Sequence, residues 1–355
     1  MRLLIAAGSS GGHIFPAIAT AFKLKESKKM RDVFFVGSNK ELDTQIFKNG
    51  GYAFDTLSAS RRIVSDFRAS HSILKRVRPD IVVGFGGYVS LPVVMTARLL
   101  GIPTIIHEQN VVPGLANRIL LHVADRVAVS FPPTPRLMRR SSRIRETGNP
   151  VRIDLVRAER GKTLARLGLD PSKFTLLVMG GSQGAHRINE AVLEMLSGSP
   201  GENRWGGVQV IHLSGMRDFD EVKTRYRSVP VGSAVFSFYD KMGEVYSAAD
   251  LVISRAGATS IAEITFFGLA SILIPYPDRK VHQLENARFM EGRGASRVIL
   301  QEDLLAQRLE REVAGLLASP GRREAMADNA KKLARPDAAE NIIEEILSLA
   351  KGPTR

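Results

Sequence analysis

The chain of 355 residues contains no cysteine, one tryptophan and no uninterrupted apolar run long enough to cross a bilayer. Without cysteine, disulfide bonds, thiol catalysis and cysteine-ligated metal sites are excluded, and a reducing compartment fits. The most apolar stretch, residues 81–97, contains three glycines and Pro92. It therefore predicts a strand, a loop and a helix, because a membrane span needs about 20 continuous apolar residues. We expect any membrane contact to be peripheral.

Aromatic residues are also scarce, at 6% of the chain, although the formal net charge is +14. Such a charge favours anionic partners, among them nucleic acid, acidic lipid and phosphorylated metabolites. A non-enzymatic nucleic-acid-binding protein would explain the charge. The low aromatic content and the lack of an RNA- or DNA-binding motif argue against that class. We expect no nucleic-acid partner.

Strand-like and helix-like segments alternate along the chain, which is typical of an α/β protein with doubly wound parallel sheets. At this length two domains are expected. The polar stretch 134–145 and the turn at Pro150 predict a linker and a hinge, giving domains at 1–150 and 151–337. The last segment, 338–355, contains a predicted helix that either packs back on the first domain or does not. Strands are predicted near residues 2–7, 32–36, 80–84, 103–107, 126–130, 174–179, 208–213, 234–238, 251–254 and 271–275.

Two glycine-rich segments, residues 8–13 and 180–184, each follow an apolar run and open a predicted helix. Glycine lets backbone N–H groups approach a phosphate at the positive end of a helix. A third such turn lies at residues 84–90. Packing in a parallel sheet explains any one of these turns equally well. Together they indicate a phosphorylated ligand held between two similar domains.

Three polar residues in the second half have side chains that could bind the hydroxyl groups of a ribose or a sugar. Glu263 lies about one turn into a helix, where a carboxylate can accept hydrogen bonds from both hydroxyls of a ribose. A solvated helix glutamate is the alternative. Gln283 and Asn286 are three residues apart on one helix face. Their amides either bind sugar hydroxyls or are ordinary surface groups.

Six motifs in sequence order carry a family resemblance. They are residues 11–17 (GGHIFPA), 86–90 (GGYVS), 107–110 (HEQN), 148–152 (GNPVR), 180–185 (GGSQGA) and 254–258 (SRAGA) with Glu263. Together they resemble the MurG family of bacterial glycosyltransferases over most of the chain. The resemblance implies the GT-B fold, in which two Rossmann-like domains face each other across a cleft. It assigns the lipid acceptor and the membrane-facing surface to the N-terminal domain and UDP-N-acetylglucosamine (UDP-GlcNAc) to the C-terminal domain.

The implied reaction is inverting transfer of N-acetylglucosamine to the C4 hydroxyl of N-acetylmuramic acid in undecaprenyl-pyrophosphoryl-MurNAc-pentapeptide, a peptidoglycan precursor. The resemblance places this reaction at the cytoplasmic face of the bacterial cell membrane. The step needs a base near the acceptor and stabilisation of the departing UDP. Helix N-termini and basic side chains serve the second purpose in this family, so we expect no cofactor and no required metal. A GT-B transferase with a different lipid acceptor and a UDP-sugar 2-epimerase are the alternatives.

His13 is the first candidate for the base, because a helix N-terminus lowers the pKa of imidazole and keeps it proton-accepting. Glu108 is the second candidate. His13 alternatively only orients the glycine loop or contacts phosphate, and His107 and His122 are expected to be structural. The resemblance implies substrate binding by Ser10, Gly11, Gly12 and Asn110, with Arg152 on the nucleotide, Ser182 on the diphosphate, Tyr239 at uracil, Ala258, Thr259 and Glu263 around the ribose and its phosphates, and Gln283 and Asn286 on the sugar.

Residues 61–78 interleave basic with apolar side chains. This pattern suits an apolar patch rimmed by positive charge on an anionic membrane surface. An ordinary amphipathic helix packed against the sheet is the alternative.

Overall fold

The computed structural model describes residues 1–8, 10–27, 32–58, 63–134, 142–181, 184–197, 204–278 and 282–350. The chain divides into two compact units. The first comprises Met1–Arg152 together with Arg335–Arg355, and the second comprises Ile153–Ala334. Each unit is an α/β layer structure with its own parallel sheet.

The sheet of the first unit has the strand order β3-β2-β1-β4-β5-β6-β7. Its strands are β1 (Arg2–Ala6), β2 (Asp32–Ser38), β3 (Ala53–Leu57), β4 (Ile81–Gly84), β5 (Thr104–Glu108), β6 (Arg126–Val129) and β7 (Ile144–Glu146). Its described helices are α1 (Gly11–Glu26), α2 (Glu41–Asn49), α3 (Ile63–Val77), α4 (Ser90–Leu99), α5 (Leu115–Leu120) and, at the end of the chain, α14 (Ala338–Ala350).

The sheet of the second unit has the order β10-β9-β8-β11-β12-β13. Its strands are β8 (Phe174–Met179), β9 (Val208–Leu213), β10 (Gly232–Phe236), β11 (Leu251–Ser254), β12 (Ser271–Leu273) and β13 (Arg297–Val298). Its described helices are α6 (Arg160–Arg166), α7 (His186–Ser197), α8 (Phe219–Arg225), α9 (Met242–Ala248), α10 (Ala258–Phe267), α11 (Gln283–Glu291), α12 (Ala306–Leu317) and α13 (Pro320–Leu333), with short 3-10 turns at Tyr226–Ser228 and Gln301–Asp303.

The central strands are continuous apolar runs because helices cover both faces of each sheet. Leu3, Leu4 and Ile5 in β1 are all fully buried. Leu3 and Ile5 join one hydrophobic core and Leu4 joins another, as the alternation of side chains along a strand requires. Helix α14 contributes Ile342 and Ile346 to the core that contains Leu3 and Ile5. Burying each such side chain stabilises the fold by about 1.5–3 kcal/mol, which keeps the end of the chain on the first unit.

All ten predicted strands are present, and the predicted α/β fold class is confirmed. Three further strands, β3, β7 and β13, were not predicted because each is short or polar and lies towards a sheet edge. The linker predicted over 134–145 is wrong at its end, since Ile144 and Arg145 pair with β6 within the first sheet. Exposed edge residues resemble a linker in composition because only one neighbouring strand and little apolar contact define them.

Both sheets place the same kind of turn at the same topological position. In the first unit β1 and β4 are adjacent parallel strands, but β1 connects to β2 on one side of this pair and β4 connects to β5 on the other side. In the second unit β8 and β11 have this relationship. Ligands of doubly wound sheets bind at the carboxyl ends of the strands at this point. The turns at 84–90 and 254–258 lie there, as do the described residues of the predicted glycine turns at 8–13 and 180–184.

Candidate functional site

Two glycine turns of the first unit are in direct contact. Gly86 and Gly87 have φ values of +94° and +75°, a backbone conformation that side chains disfavour. A Cβ atom on Gly87 would lie 2.5 Å from the carbonyl oxygen of Gly8, and one on Gly86 would lie 2.8 Å from Nδ1 of His13. Ser90 fixes the second turn, because its hydroxyl lies 2.8 Å from the Gly86 carbonyl and accepts the Gly86 N–H at 3.0 Å. Only glycine fits this approach.

His13 is the third residue of α1 and is partly buried. Ser10 precedes the helix in an extended conformation, and its carbonyl oxygen accepts the N–H groups of His13 and Ile14. Gly11 and Gly12 thus form the first helical positions, at the positive end of the helix dipole. Burial lowers the pKa of His13, and the carboxylates of Glu108 and Asp43 only partly oppose this effect. The imidazole is therefore neutral near pH 7.

A chain of hydrogen bonds runs from His13 into the core of the first unit. Nδ1 of His13 lies 3.1 Å from Oε1 of Gln109. Nε2 of Gln109 donates to the carbonyl of Phe85 at 2.6 Å and lies 3.0 Å from Nδ1 of His107. Nε2 of His107 lies 2.9 Å from the carbonyl of Gly148. Burial lowers the pKa of the His107 imidazole to about 4, so this ring is also neutral.

Glu108 holds the loop that follows β5. Its Oε1 accepts hydrogen bonds from the backbone N–H of Asn110 at 2.8 Å and from the Asn110 side chain at 3.3 Å. Its Oε2 accepts from the Gly114 N–H at 3.0 Å and from Asn117 at 2.9 Å. The side chain is 1% exposed. Both candidate bases thus lie at the same edge of the first sheet, but Glu108 has donors on both oxygens and acts as a loop anchor.

Arg152 is the last residue of the first unit before the chain enters the second. Its guanidinium lies over the ring of Phe15, 4.9 Å from the ring centroid. The aromatic face attracts the cation and holds it beside the first turns of α1. This contact brings the predicted nucleotide-binding arginine close to the glycine loop that contains His13.

The glycine turn after β8 is packed against the loop after β9. Gly181 and Gly184 have φ values of +84° and +76°. A Cβ atom on Gly184 would collide with the carbonyl oxygen of Ser214. The predicted diphosphate-binding residue Ser182 lies outside the described residues. The described flanks show that this turn, like the one after β4, depends on glycine for a close backbone approach.

The predicted ribose and sugar residues surround the start of α10. Ala258 and Thr259 are its first residues, and Glu263 follows one turn later with 5% of its surface exposed. Oε2 of Glu263 accepts the hydroxyl hydrogen of the fully buried Tyr246 at 2.8 Å. Glu263 is therefore not a solvated surface glutamate, which was the alternative.

The two predicted amides begin α11 and contact this region differently. Asn286 is fully buried, and its Nδ2 donates to the carbonyl of Ala256 at 3.1 Å. Gln283 is partly buried, and its Oε1 accepts the N–H of Tyr276 at 3.0 Å. Asn286 thus ties α11 to the turn before α10, and Gln283 ties the start of α11 to Tyr276.

Tyr239 follows β10 at the same edge of the second sheet. Its hydroxyl donates to Oε2 of Glu244 at 2.6 Å and lies 3.1 Å from Nη2 of Arg166, which also pairs with Glu244. Burial and the Glu244 carboxylate raise the pKa of the Tyr239 phenol to about 12. The Tyr239 hydroxyl is thus engaged by Glu244 and Arg166 within the second unit.

Sequence reasoning missed Gln109 and Tyr246 as participants. Gln109 directly follows β5 and is two residues from His107, a spacing that in a continuing strand puts two side chains on one side and could have indicated the contact. No sequence signal links Tyr246 to Glu263, because the two lie on different helices, α9 and α10.

In the part of the chain that the structure describes, no group of three or more His, Asp or Glu side chains is placed to hold a metal ion. Within the same residues no helix is long and apolar enough to cross a bilayer. In α3, Ile63 and Val64 are 55% and 65% exposed, whereas Ile73 and Leu74 are buried in the core. Arg61 and Arg62, at the predicted membrane patch, lie outside the described residues.

Comparison with known proteins yields matches over both units. Residues 3–129 match the glycosyltransferase family 28 N-terminal domain, and residues 175–342 match the C-terminal domain of the same family. The chain is 37% identical to UDP-N-acetylglucosamine–N-acetylmuramyl-(pentapeptide) pyrophosphoryl-undecaprenol N-acetylglucosamine transferase of Thermoanaerobacter sp. (strain X514), covering 98% of this chain and all of that relative.

Solved structures agree with this match. MurG of Acinetobacter baumannii superimposes with a TM-score of 0.78 and 27% identity over 98% of this chain and 99% of that one. UDP-GlcNAc 2-epimerase of Neisseria meningitidis has a TM-score of 0.71 and 14% identity, over 98% of this chain and all of that one. The second likeness shows the fold alone.

Proposed function

We infer the reaction in detail from one premise: the chain belongs to the MurG family within glycosyltransferase family 28. It is accordingly a UDP-GlcNAc-dependent transferase with the GT-B fold. It adds N-acetylglucosamine to undecaprenyl-pyrophosphoryl-MurNAc-pentapeptide, the step from lipid I to lipid II of peptidoglycan synthesis. The roles of individual residues, the stereochemical course and the membrane-facing surface are our proposals.

We propose that the second unit binds the donor. The N-termini of α7 and α10 begin at glycine turns on the switch-point edge of the sheet, where the helix dipole and backbone N–H groups favour a diphosphate. Glu263, oriented by Tyr246, accepts the ribose hydroxyls, and Asn286 and Gln283 bind the sugar. Ser182 and Arg152 add donors to the phosphates, and the backbone near Tyr239 binds uracil.

The first unit supplies the acceptor site and the base in this proposal. The observation that carries the assignment is the neutral, partly buried His13 at the contact of two glycine turns, hydrogen-bonded to Gln109 through Nδ1. His13 accepts the proton of the C4 hydroxyl as that oxygen attacks C1 of the sugar. The C1–O bond to UDP breaks in the same displacement, and the anomeric configuration inverts. Ser10, Gly11, Gly12 and Asn110 line the acceptor side.

UDP leaves with its negative charge stabilised by helix N-termini and by Arg152, so the proposed step uses no metal and no cofactor. The proton stays on His13 until solvent removes it. Glu108 contributes its charge near the imidazole and the shape of the loop 109–114.

We further propose that the first unit docks on the cytoplasmic face of the membrane through the exposed start of α3. Ile63 and Val64 provide apolar contact, and the exposed Arg68 and Lys75 provide charge. Anionic headgroups attract such side chains by about 1 kcal/mol each. This placement lets the enzyme reach a lipid-linked acceptor without spanning the bilayer.

The test is transfer of radiolabelled N-acetylglucosamine from UDP-GlcNAc to a short-chain analogue of the lipid acceptor. Loss of the base is expected to reduce kcat of His13→Ala by about 100-fold or more. His122→Ala is the matched control, because His122 is an exposed histidine of the same unit. Its rate is expected to equal that of the wild type.

Two results would contradict the proposal in different ways. Transfer by His13→Ala within a few-fold of the wild type would remove His13 as the base and retain the transferase. Acceptor-independent release of UDP and free sugar, with no product on the lipid, would instead support the 2-epimerase alternative.

A further inference from the structure

The hydrogen bonds behind His13 determine which of its nitrogens carries the proton. A neutral imidazole has one N–H donor and one acceptor nitrogen, and the partner of one fixes the role of the other. The relevant chain starts at Gly148, whose carbonyl oxygen is only an acceptor. Nε2 of His107, 2.9 Å away, must therefore be the protonated nitrogen of that buried neutral ring. Its Nδ1 is left as an acceptor.

Gln109 transmits this polarity. One terminal atom of its amide lies 3.0 Å from Nδ1 of His107 and 2.6 Å from the carbonyl oxygen of Phe85. Both groups are acceptors, so that end must be the NH₂ group, and the carbonyl end must face His13. Oε1 of Gln109 then accepts a hydrogen bond from Nδ1 of His13, 3.1 Å away. The proton of the neutral His13 ring lies on Nδ1, and Nε2 carries the lone pair.

We propose that Gln109 is a positioning residue that holds His13 in the Nδ1–H tautomer, so that Nε2 is always ready to accept the proton of the attacking hydroxyl. This inference rests on the proposed role of His13 as base. An isolated neutral histidine exchanges between tautomers, and only one of them presents a lone pair to the acceptor. Gln109 removes the unproductive tautomer without adding a charge next to the ring.

The surroundings show why an amide suits this position. The titratable and charged groups around His13 are Glu108, Asp43 and His107. Glu108 and Asp43 already favour the protonated ring that forms during transfer. A carboxylate at position 109 would face the Phe85 carbonyl and the His107 lone pair with no proton to donate, whereas an amide satisfies both.

The direct test is long-range ¹H–¹⁵N NMR of protein labelled at histidine nitrogens, with the His13 signals assigned by loss in His13→Gln. The wild type is expected to show His13 protonated at Nδ1 above the pKa of the ring. Gln109→Met keeps the volume but removes the amide, and His13 is then expected to populate both tautomers. The kcat of Gln109→Met is expected to fall at least about tenfold, with the KM for UDP-GlcNAc within about twofold.

The pH dependence of kcat/KM is a second measurement, and a packing defect alone would not shift it along the pH axis. The hydrogen bond to Gln109 raises the pKa of His13 relative to burial alone. Its loss should therefore move the acid limb of kcat/KM to lower pH. The matched control is His212→Phe, which also removes a buried hydrogen-bonding histidine. His212 belongs to the second unit and has no part in the hydrogen bonds behind His13, so the tautomer and the acid limb are expected to stay.

The proposal is overturned if wild-type His13 is protonated at Nε2, or if Gln109→Met leaves both tautomer and kcat unchanged. Because NMR reads the tautomer without any turnover, the two ideas fail separately. An Nδ1–H tautomer in a protein that does not transfer sugar to the lipid would refute the proposed function alone. Lipid-dependent transfer with the other tautomer would refute the role of Gln109 alone.

Discussion

The hydroxyl group of Tyr246 donates to Oε2 of Glu263 at 2.8 Å, and both side chains are buried. Tyr246 also stacks on Phe267, with ring centroids 5.2 Å apart, so its position is fixed by packing. A carboxylate held in this way keeps its other oxygen in one direction. We infer that Tyr246 preorganises Glu263 for the two hydroxyls of a ribose.

Tyr246→Phe is expected to weaken UDP binding about tenfold, because a hydrogen bond to a charged group is worth about 1.5–3 kcal/mol and only part of it supports the ligand. Isothermal titration calorimetry with UDP measures the effect. Tyr52→Phe is the control, since Tyr52 is a buried tyrosine of the other unit. Equal UDP affinity of wild type and Tyr246→Phe would remove the orienting role.

The contact between Gly8 and Gly87 predicts that transfer requires glycine at position 87 for a reason beyond its positive φ angle. Gly87 and Gly101 have nearly the same φ, +75° and +73°, and a Cβ atom on Gly101 would meet nothing within 4 Å. Alanine costs about 1 kcal/mol at either position through backbone strain. At Gly87 it also displaces the Gly8 carbonyl and the loop that leads to His13. Transfer by Gly87→Ala is expected to fall more than tenfold, with Gly101→Ala near the wild-type rate.

Thermal melts and UDP binding accompany these rates. Gly87→Ala should lose more stability than Gly101→Ala, because only its Cβ atom meets backbone. Both variants should keep UDP affinity, because the donor residues belong to the second unit in our proposal. Equal rates for Gly87→Ala and Gly101→Ala would mean that the close approach of the two turns is not required for transfer.

The sequence alone predicted the parts of the molecule that local chemistry determines. Buried parallel strands are continuous apolar runs, so all ten predicted strands were found. The glycine turns after β1, β4 and β8 indicated the switch points of the two sheets. Edge strands such as β7 were missed, because one neighbour and few apolar residues define them.

Tertiary partners were beyond the reach of periodicity. Spacing put Glu263, Gln283 and Asn286 on helices and the family resemblance implied their roles, but their partners Tyr246, Tyr276 and Ala256 lie on other elements. His107 was expected to be structural; it is fully buried, and its hydrogen bond with Gln109 connects it to His13. Such relays depend on side-chain orientation in three dimensions, which a single sequence does not encode locally.

Two buried neutral histidines predict acid sensitivity of the fold. Burial lowers the pKa of His107 to about 4 and that of His212 to about 3. An unfolded chain protonates histidine near pH 6.5. Since both folded pKa values are depressed, the stabilisation is complete above about pH 6.5 and is lost as pH falls towards 4 and 3. When the pH falls from 7 to 5, the depressed pKa of each histidine should lower the free energy of unfolding by about 2 kcal/mol.

Denaturant unfolding at the two pH values tests this expectation. His212→Gln should be less stable than the wild type at pH 7, since His212 bonds Tyr226 and Asn189, but should lose less stability on acidification. His122→Gln, at an exposed position, should show the wild-type loss. The same acid-induced loss in His212→Gln as in the wild type would contradict the linkage.

Docking through α3 gives a prediction with a closely matched control. Val64 at the start of α3 is 65% exposed, and Val156 in the second unit is 69% exposed. Single exposed aliphatic residues are common on protein surfaces, so exposure alone does not identify a membrane surface. Val64 is distinguished by its exposed neighbour Ile63 and by Arg68 and Lys75 on the same helix. Apolar contact and attraction to anionic lipid then act together.

Val64→Asp adds a charge that must be desolvated at the headgroup boundary and that anionic lipid repels. We expect its binding to vesicles of zwitterionic and anionic phospholipid to fall at least fivefold in a sedimentation assay, while Val156→Asp binds as the wild type does. Raising the salt concentration should weaken wild-type binding, because the charged part of the attraction is screened. If both aspartate variants bind alike, the exposed start of α3 is not the docking surface, and the positive charge of the chain must meet the membrane elsewhere.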